Sequence, residues 1–60
     1  MAWIARDKKG ERLYIYSSRP ERKSDEWMVY TVNVVELPSD ADEKLIGKHI
    51  DWTDEPVKIN

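Results

Sequence analysis

Near the N-terminus, cationic and aromatic side chains lie close together. Residues 6–12 contain four cations, Arg6, Lys8, Lys9 and Arg12, and two tyrosines follow at positions 14 and 16. Cationic side chains contact phosphates or carboxylates, while tyrosine rings stack on bases or fill interface pockets. The pattern therefore predicts an interaction surface with six members: Arg6, Arg12, Tyr14, Tyr16, Arg19 and Arg22.

Other kinds of site chemistry have weaker signals. The chain has no cysteine and a single histidine, His49. His49 with Asp51, Asp54 and Glu55 could bind zinc or a similar ion, but an acidic solvated turn is the commoner structure for such a segment. The serines and threonines lack an evident basic partner for nucleophilic catalysis, and a chain of 60 residues rarely encloses a pocket that tunes a carboxylate. We therefore expect no enzymatic activity, no metal and no cofactor.

Charge is distributed unevenly along the chain. Residues 6–23 contain seven Lys or Arg against three acids, whereas residues 24–60 contain three Lys against nine acids, and the whole chain has a net charge of −2. Such asymmetry indicates a charged partner or mutual attraction of the two parts. We favour attraction between the parts, within one molecule or between two, over a ligand site.

The elements that must position the cations and tyrosines begin with a β-hairpin over residues 2–16. Asp7 suits the start of a type I turn and Gly10 its left-handed end. A three-residue loop over 8–10 would place Arg6 opposite Arg12, and alternation then sorts the side chains into two faces. The predicted core face contains Trp3, Ala5, Leu13 and Ile15. The predicted outer face contains Ile4, Arg6, Arg12, Tyr14 and Tyr16.

The remaining segments predict a loop, a strand, a helix and a short extended end. Residues 17–26 are polar and basic, which is typical of a loop. Residues 27–37 have the strongest strand signal, and a bulge near 31–33 or cover on both faces would explain their mixed pattern. Residues 40–46 predict a helix capped by Ser39 or Asp40 and ended by Gly47. After a turn at 54–56, Val57 and Ile59 indicate a last extended piece.

These elements predict one small α+β domain over residues 1–60. Its antiparallel sheet would have three or four strands, covered by one short helix. The predicted core consists of Trp3, Leu13, Ile15, Trp27, Val29, Leu45, Ile50 and Trp52. Such a small chain buries only about 60% of its unfolded surface, which favours tight packing or self-association.

The absence of a long apolar run and of a signal-peptide pattern makes a soluble cytoplasmic protein the default expectation. We predict a non-enzymatic protein-interaction module, most simply a homodimer. The alternative is single-stranded nucleic-acid binding by the basic, aromatic hairpin face.

Several short motifs run along nearly the whole chain: "WIARD" before a charged turn with glycine, "LYIY", "RPER", "ELPSD" and "IDWTDEPVKI". With these motifs the sequence resembles a group of very short uncharacterised proteins encoded by bacteriophages and prophages of gut bacteria. The segment "ADEKLIGKH" departs from the shorter connection of that pattern. The resemblance implies a small cytoplasmic accessory protein of a mobile element, and it carries no catalytic residue over to this chain.

Overall fold

The computed structural model describes residues 2–29 and 33–59, which contain six short strands and one α-helix. The elements in chain order are β1 (Trp3–Arg6), β2 (Leu13–Tyr16), β3 (Glu21–Arg22), β4 (Trp27–Met28), β5 (Val34–Leu37), α1 (Ala41–Ile46) and β6 (Val57–Lys58). Four strands form one antiparallel sheet in the order β5-β2-β1-β6, and β3 pairs with β4 as a separate hairpin. The predicted α+β class, with an antiparallel sheet and one short helix, is confirmed.

The first hairpin forms with a register that differs by one residue from the predicted one. Arg6 pairs with Leu13 and Asp7 donates its N–H to the carbonyl of Arg12 (2.9 Å), so the loop is four residues long, over 8–11. Gly10 (φ 74°) and Glu11 (φ 53°) both adopt left-handed conformations in this loop. The predicted three-residue loop and the pairing of Arg6 with Arg12 are therefore wrong. A shift of one residue turns every side chain of β2 to the opposite face.

The corrected register gives the central hairpin two covered faces. On one face, Ile4 and Leu13 pack with Ala41 and Ile50, surrounded by half-buried Ile15, Leu37, Ile46, Val57 and Ile59. We call this the helix-side core. On the other face, Ala5 and Tyr16 pack with Trp27, surrounded by half-buried Trp3, Tyr14, Val29, Val34 and Trp52. We call this the tyrosine-side core, and it combines Trp3 and Ala5 of the predicted core face with Tyr14 and Tyr16 of the predicted outer face.

The predicted core is confirmed in part. Leu13, Trp27 and Ile50 are buried, and four further members are half-buried against the two cores: Trp3, Ile15, Val29 and Trp52. The prediction that Leu45 belongs to the core is wrong, because 51% of its surface is exposed. The buried face of α1 instead contains Ala41 and Asp42, with Ile46 one turn after Asp42.

The segments after the first hairpin differ from prediction in detail. The predicted loop over 17–26 contains β3, and the hairpin that β3 forms with β4 is closed by the N–H of Lys23 on the carbonyl of Glu26 (2.9 Å). The predicted strand over 27–37 begins as β4 and ends as β5, while 30–32, and with them most of the predicted bulge, lie outside the described residues. The helix and its glycine end are confirmed, since α1 stops at Gly47 with φ 73°.

Candidate interaction site

The six residues of the predicted interaction surface do not share one surface. Arg6 and Tyr16 are each only 3% exposed, so the prediction that they lie on an exposed face is wrong. Arg12 and Arg19 are exposed, whereas Tyr14 is half-buried in the tyrosine-side core. The register shift is the physical reason, because it sends Arg6 to the helix side of the sheet and both tyrosines to the other side.

Arg6 is the buried connection between several segments. Its Nε donates to the carbonyl of Ile50 (2.8 Å), and its Nη1 donates to the carbonyl of Glu11 (2.8 Å). Its Nη2 donates both to the carbonyl of Ser39 (2.8 Å) and to Oδ2 of Asp42 (2.9 Å). One guanidinium thus joins β1 to the hairpin loop, to the entry of α1 and to the segment after α1.

Asp42 is the acidic partner of Arg6, and it is completely buried. Its Oδ2 also accepts the N–H of Ile50 (2.8 Å) and lies 3.1 Å from Nδ1 of His49, while its Oδ1 accepts the N–H of Glu43 (2.9 Å). Burial alone would raise the pKa of Asp42, but the hydrogen bonds from Ile50, Arg6 and Glu43 together outweigh it and hold the pKa below its ordinary value. The carboxyl is therefore ionised at neutral pH.

The residues that were considered as possible metal ligands, His49, Asp51, Asp54 and Glu55, do not form one cluster among the described residues. The described residues contain one cluster of possible ligands, Asp42, Glu43 and His49, with donor atoms within 4.8 Å of one another. Its buried member already accepts two backbone N–H groups and the guanidinium of Arg6, whose positive charge opposes a metal ion at the same oxygen. The buried carboxylate of Asp42 is therefore best explained by its hydrogen bonds within the core, and Glu43 and His49 are exposed.

The acids Asp54 and Glu55, which were considered as possible ligands, make contacts in and around the turn before β6. Oδ2 of Asp54 accepts the N–H of Asp51 (2.8 Å). Glu55 forms ion pairs with two arginines of the basic part, Arg19 at 3.0 Å and Arg22 at 3.6 Å. Together with the pair of Arg6 and Asp42, these contacts confirm that the basic and acidic parts of the chain attract each other within one molecule.

Arg22 occupies a place between two tryptophans. Its Cζ lies 4.5 Å from the ring centroids of both Trp27 and Trp52, whose own centroids are 5.4 Å apart. Its guanidinium also donates to the carbonyl of Trp52 (2.6 Å). Arg22 therefore covers the edge of the tyrosine-side core by cation–π contact and hydrogen bonding.

A groove of about 320 Å³ lies open to solvent beside the tyrosine-side core. Three aromatic residues line it, the half-buried Tyr14 and the buried Tyr16 and Trp27, and its charged members are the acids Asp7 and Glu26. Met28, which is 47% exposed, adds an apolar surface. We call this feature the acidic-aromatic groove, and its charge is opposite to the charge predicted for the tyrosine face.

Asp7 is held in place within this groove. Its Oδ1 accepts the backbone N–H of Trp27 (3.1 Å), which connects the first hairpin to β4. Burial raises the pKa of Asp7, and the negative charges of Glu26 and Asp25 raise it further, against the lowering effect of the Trp27 hydrogen bond. Burial also raises the pKa of Tyr16, with added contributions from Asp7, Tyr14 and Glu26. The groove thus has a negative electrostatic environment.

A second candidate surface is the outer edge of β5. β5 is the terminal strand of the four-stranded sheet and pairs with β2 on one side only among the described strands. Val35 is 60% exposed, and Glu36 is exposed beside it. The backbone groups on the outer side of such a strand can pair with another chain.

No family model, curated protein or solved structure matches the chain. Among the described residues, no helix has the length and apolar character needed to cross a membrane.

Proposed function

We propose that the chain is a non-enzymatic protein-interaction module that forms a homodimer by pairing β5 with β5 of a second copy. The observation that carries this proposal is the open edge of β5. Natural edge strands are commonly protected by lysine, proline or a very short length. The opposite edge, β6, has only two residues and includes Lys58, whereas β5 has four residues, "VVEL", and no lysine.

The ladder between β2 and β5 determines which groups of β5 point outward. The N–H of Ser17 donates to the carbonyl of Asn33 (3.3 Å), and the same register pairs Ile15 with Val35. Because hydrogen-bonded and non-hydrogen-bonded pairs alternate in an antiparallel ladder, the backbone groups of Val35 point to β2. Those of Val34 and Glu36 therefore point to the open edge.

A two-fold axis perpendicular to the sheet limits the possible registers of a dimer. Centred on Val35, it places Val34 opposite Glu36 of the second copy, so that outward N–H and C=O groups form four hydrogen bonds. Centred on Glu36, it would place two carboxylates opposite each other and would pair Val34 with Pro38, which has no N–H. We therefore propose the register centred on Val35, with two exposed valines in direct contact.

Sedimentation equilibrium at micromolar concentrations tests the dimer. We expect the wild type to have twice the monomer mass of 7.1 kDa. Val35→Lys should give the monomer mass, because two lysines would oppose each other at the centre of the pairing. Leu45→Lys is the matched control, since it adds the same charge at a similarly exposed apolar position on α1, and it should remain dimeric.

A monomeric wild type at these concentrations would refute the homodimer. Equal dissociation of the Val35→Lys and Leu45→Lys variants would refute the assignment to β5. The proposed setting is a cytoplasmic accessory protein of a mobile element, as the sequence resemblance implies.

The nucleic-acid alternative stays a prediction that the geometry does not favour. It requires cations beside exposed tyrosines, but Arg6 and Tyr16 are buried. The groove next to the tyrosines instead contains Asp7 and Glu26, which repel phosphate.

A further inference from the structure

We propose that the acidic-aromatic groove binds an arginine side chain of a different partner protein. The site is built from two carboxylates, Asp7 and Glu26, and from the half-buried ring of Tyr14, which packs against the buried Tyr16 and Trp27. The rings of Tyr14 and Tyr16 are tilted by 50° with centroids 6.3 Å apart. Aromatic faces combined with carboxylates are the surroundings that a guanidinium prefers, because it can stack and form two hydrogen bonds at once.

Charge complementarity favours a cationic occupant of the groove. Among the described residues, no Lys, Arg or His lies within ion-pair distance of Asp7, Asp25 or Glu26. Burial raises the pKa of Asp7, and the negative charges of Glu26 and Asp25 raise it further. Glu55, by contrast, has two arginine partners. A cation in the groove would compensate charges that the fold leaves uncompensated.

This chain already holds one arginine of its own between aromatic rings and a carboxylate. Arg22 lies 4.5 Å from the rings of both Trp27 and Trp52 and pairs with the carboxylate of Glu55. The groove offers the same two components, the half-buried ring of Tyr14 and carboxylates, without an arginine of its own. Arginine is a better occupant than lysine because its planar group stacks on rings and is more weakly hydrated.

The groove also has an apolar part, which suits the aliphatic stem of an arginine. Met28 and Val29 line it together with Val34 of β5. The aliphatic stem of an arginine packs on such surfaces while its head contacts carboxylates, and the flexible methionine adapts to the neighbouring residues of a bound peptide. The expected ligand is therefore an exposed arginine flanked by apolar residues on another protein.

Titration of the ¹⁵N-labelled protein with the peptide acetyl-Leu-Arg-Leu-amide tests this site. The backbone amide of Trp27 is the reporter, because it donates to Asp7. We expect a saturable shift of this resonance, and about tenfold weaker binding of the peptide in which neutral citrulline replaces arginine. An equal response to both peptides, or no saturable shift, would overturn the proposal.

A pair of isosteric variants separates local recognition from general attraction. Glu26→Gln should weaken binding of the arginine peptide by about three- to fivefold. Glu43→Gln changes the net charge equally, at an exposed position on α1 away from the groove, and should leave the affinity within about twofold. An equal loss in both variants would contradict a specific site.

This inference does not depend on the homodimer. The same titration is to be repeated with the Val35→Lys variant, whose substitution lies outside the groove lining. If the dimer proposal fails, peptide binding should persist in the wild type and the variant alike. If the groove proposal fails, the oligomeric state of the wild type is unaffected, so the two failures are distinguishable.

Discussion

Replacing Asp42 by asparagine should remove most of the stability of the fold. Its carboxylate is completely buried and accepts hydrogen bonds from Arg6, Ile50 and Glu43. Breaking a buried ion pair by removing one partner costs about 3–5 kcal/mol, since the other charge stays buried without compensation. A domain of 60 residues has a free energy of unfolding of about 3–9 kcal/mol. The loss is therefore comparable with the total.

Urea unfolding followed by tryptophan fluorescence at one fixed protein concentration measures this loss. With a slope of about 1 kcal/mol per molar urea, the Asp42→Asn midpoint should fall by about 3 M, or the variant should be unfolded without urea. Asp40→Asn is the matched control, because it removes only an exposed pair with Lys44 at 3.7 Å and should change the stability by less than about 0.5 kcal/mol.

The same carboxylate gives the fold a pH dependence of known sign. The pKa of Asp42 is lower in the folded state than in the unfolded chain. Its contribution to stability is therefore complete above the unfolded value of about 4 and is lost as the pH falls through the folded value. The wild type should lose stability in acid more steeply than Asp42→Asn does.

A double replacement tests whether the cost comes from the unpaired charge. Arg6→Met combined with Asp42→Leu removes both buried charges and should recover a large part of the stability lost in Asp42→Asn. If Asp42→Asn behaves like Asp40→Asn, or if its stability in acid falls as steeply as that of the wild type, the reasoning about the buried pair is wrong.

Two further stability predictions follow from the helix and the core. Gly47→Ala should lower the free energy of unfolding by about 1 kcal/mol, because φ is 73° there and an alanine is strained in this conformation even with open space around its Cβ. Thermal unfolding measures this loss, and an unchanged melting temperature would contradict a left-handed helix end. Leu45→Gln should cost less than about 0.5 kcal/mol, whereas Leu13→Ala should cost about 2–5 kcal/mol; similar losses would contradict the observed burial.

The local signals in the sequence were sufficient for the first hairpin, the helix and the last extended piece, but not for β3, which lies in the predicted loop over 17–26. Gly47 ends α1 as predicted, since glycine adopts the left-handed conformation without steric cost. The proline and acids around 54–56 precede an extended piece that pairs with β1 as β6. The attraction between the basic and acidic parts was also predictable from charge alone, although its central pair was not.

The register of the first hairpin was not predictable from alternation, because β1 and β2 have apolar residues on both faces. Ile4 and Ala5 are both buried, each in a different core. The observed register coincides with contacts of Arg6 to Ser39 and Ile50, which are 33 and 44 positions away along the chain. No local pattern in the sequence contains such distant contacts. The acidic-aromatic groove was not predictable for the same reason, because the register determines which face of β2 carries Tyr14 and Tyr16.

The two cores on opposite sides of β1 and β2 have a consequence for cooperativity. Neither core can be lost alone, because the same two strands supply side chains to both. Opening of the helix side would expose the strands that support the tyrosine side, and the reverse holds equally. We therefore expect the amide protons of β1 and β2 to exchange with solvent only through global unfolding. In this small chain, one pair of strands makes two cores a single cooperative unit.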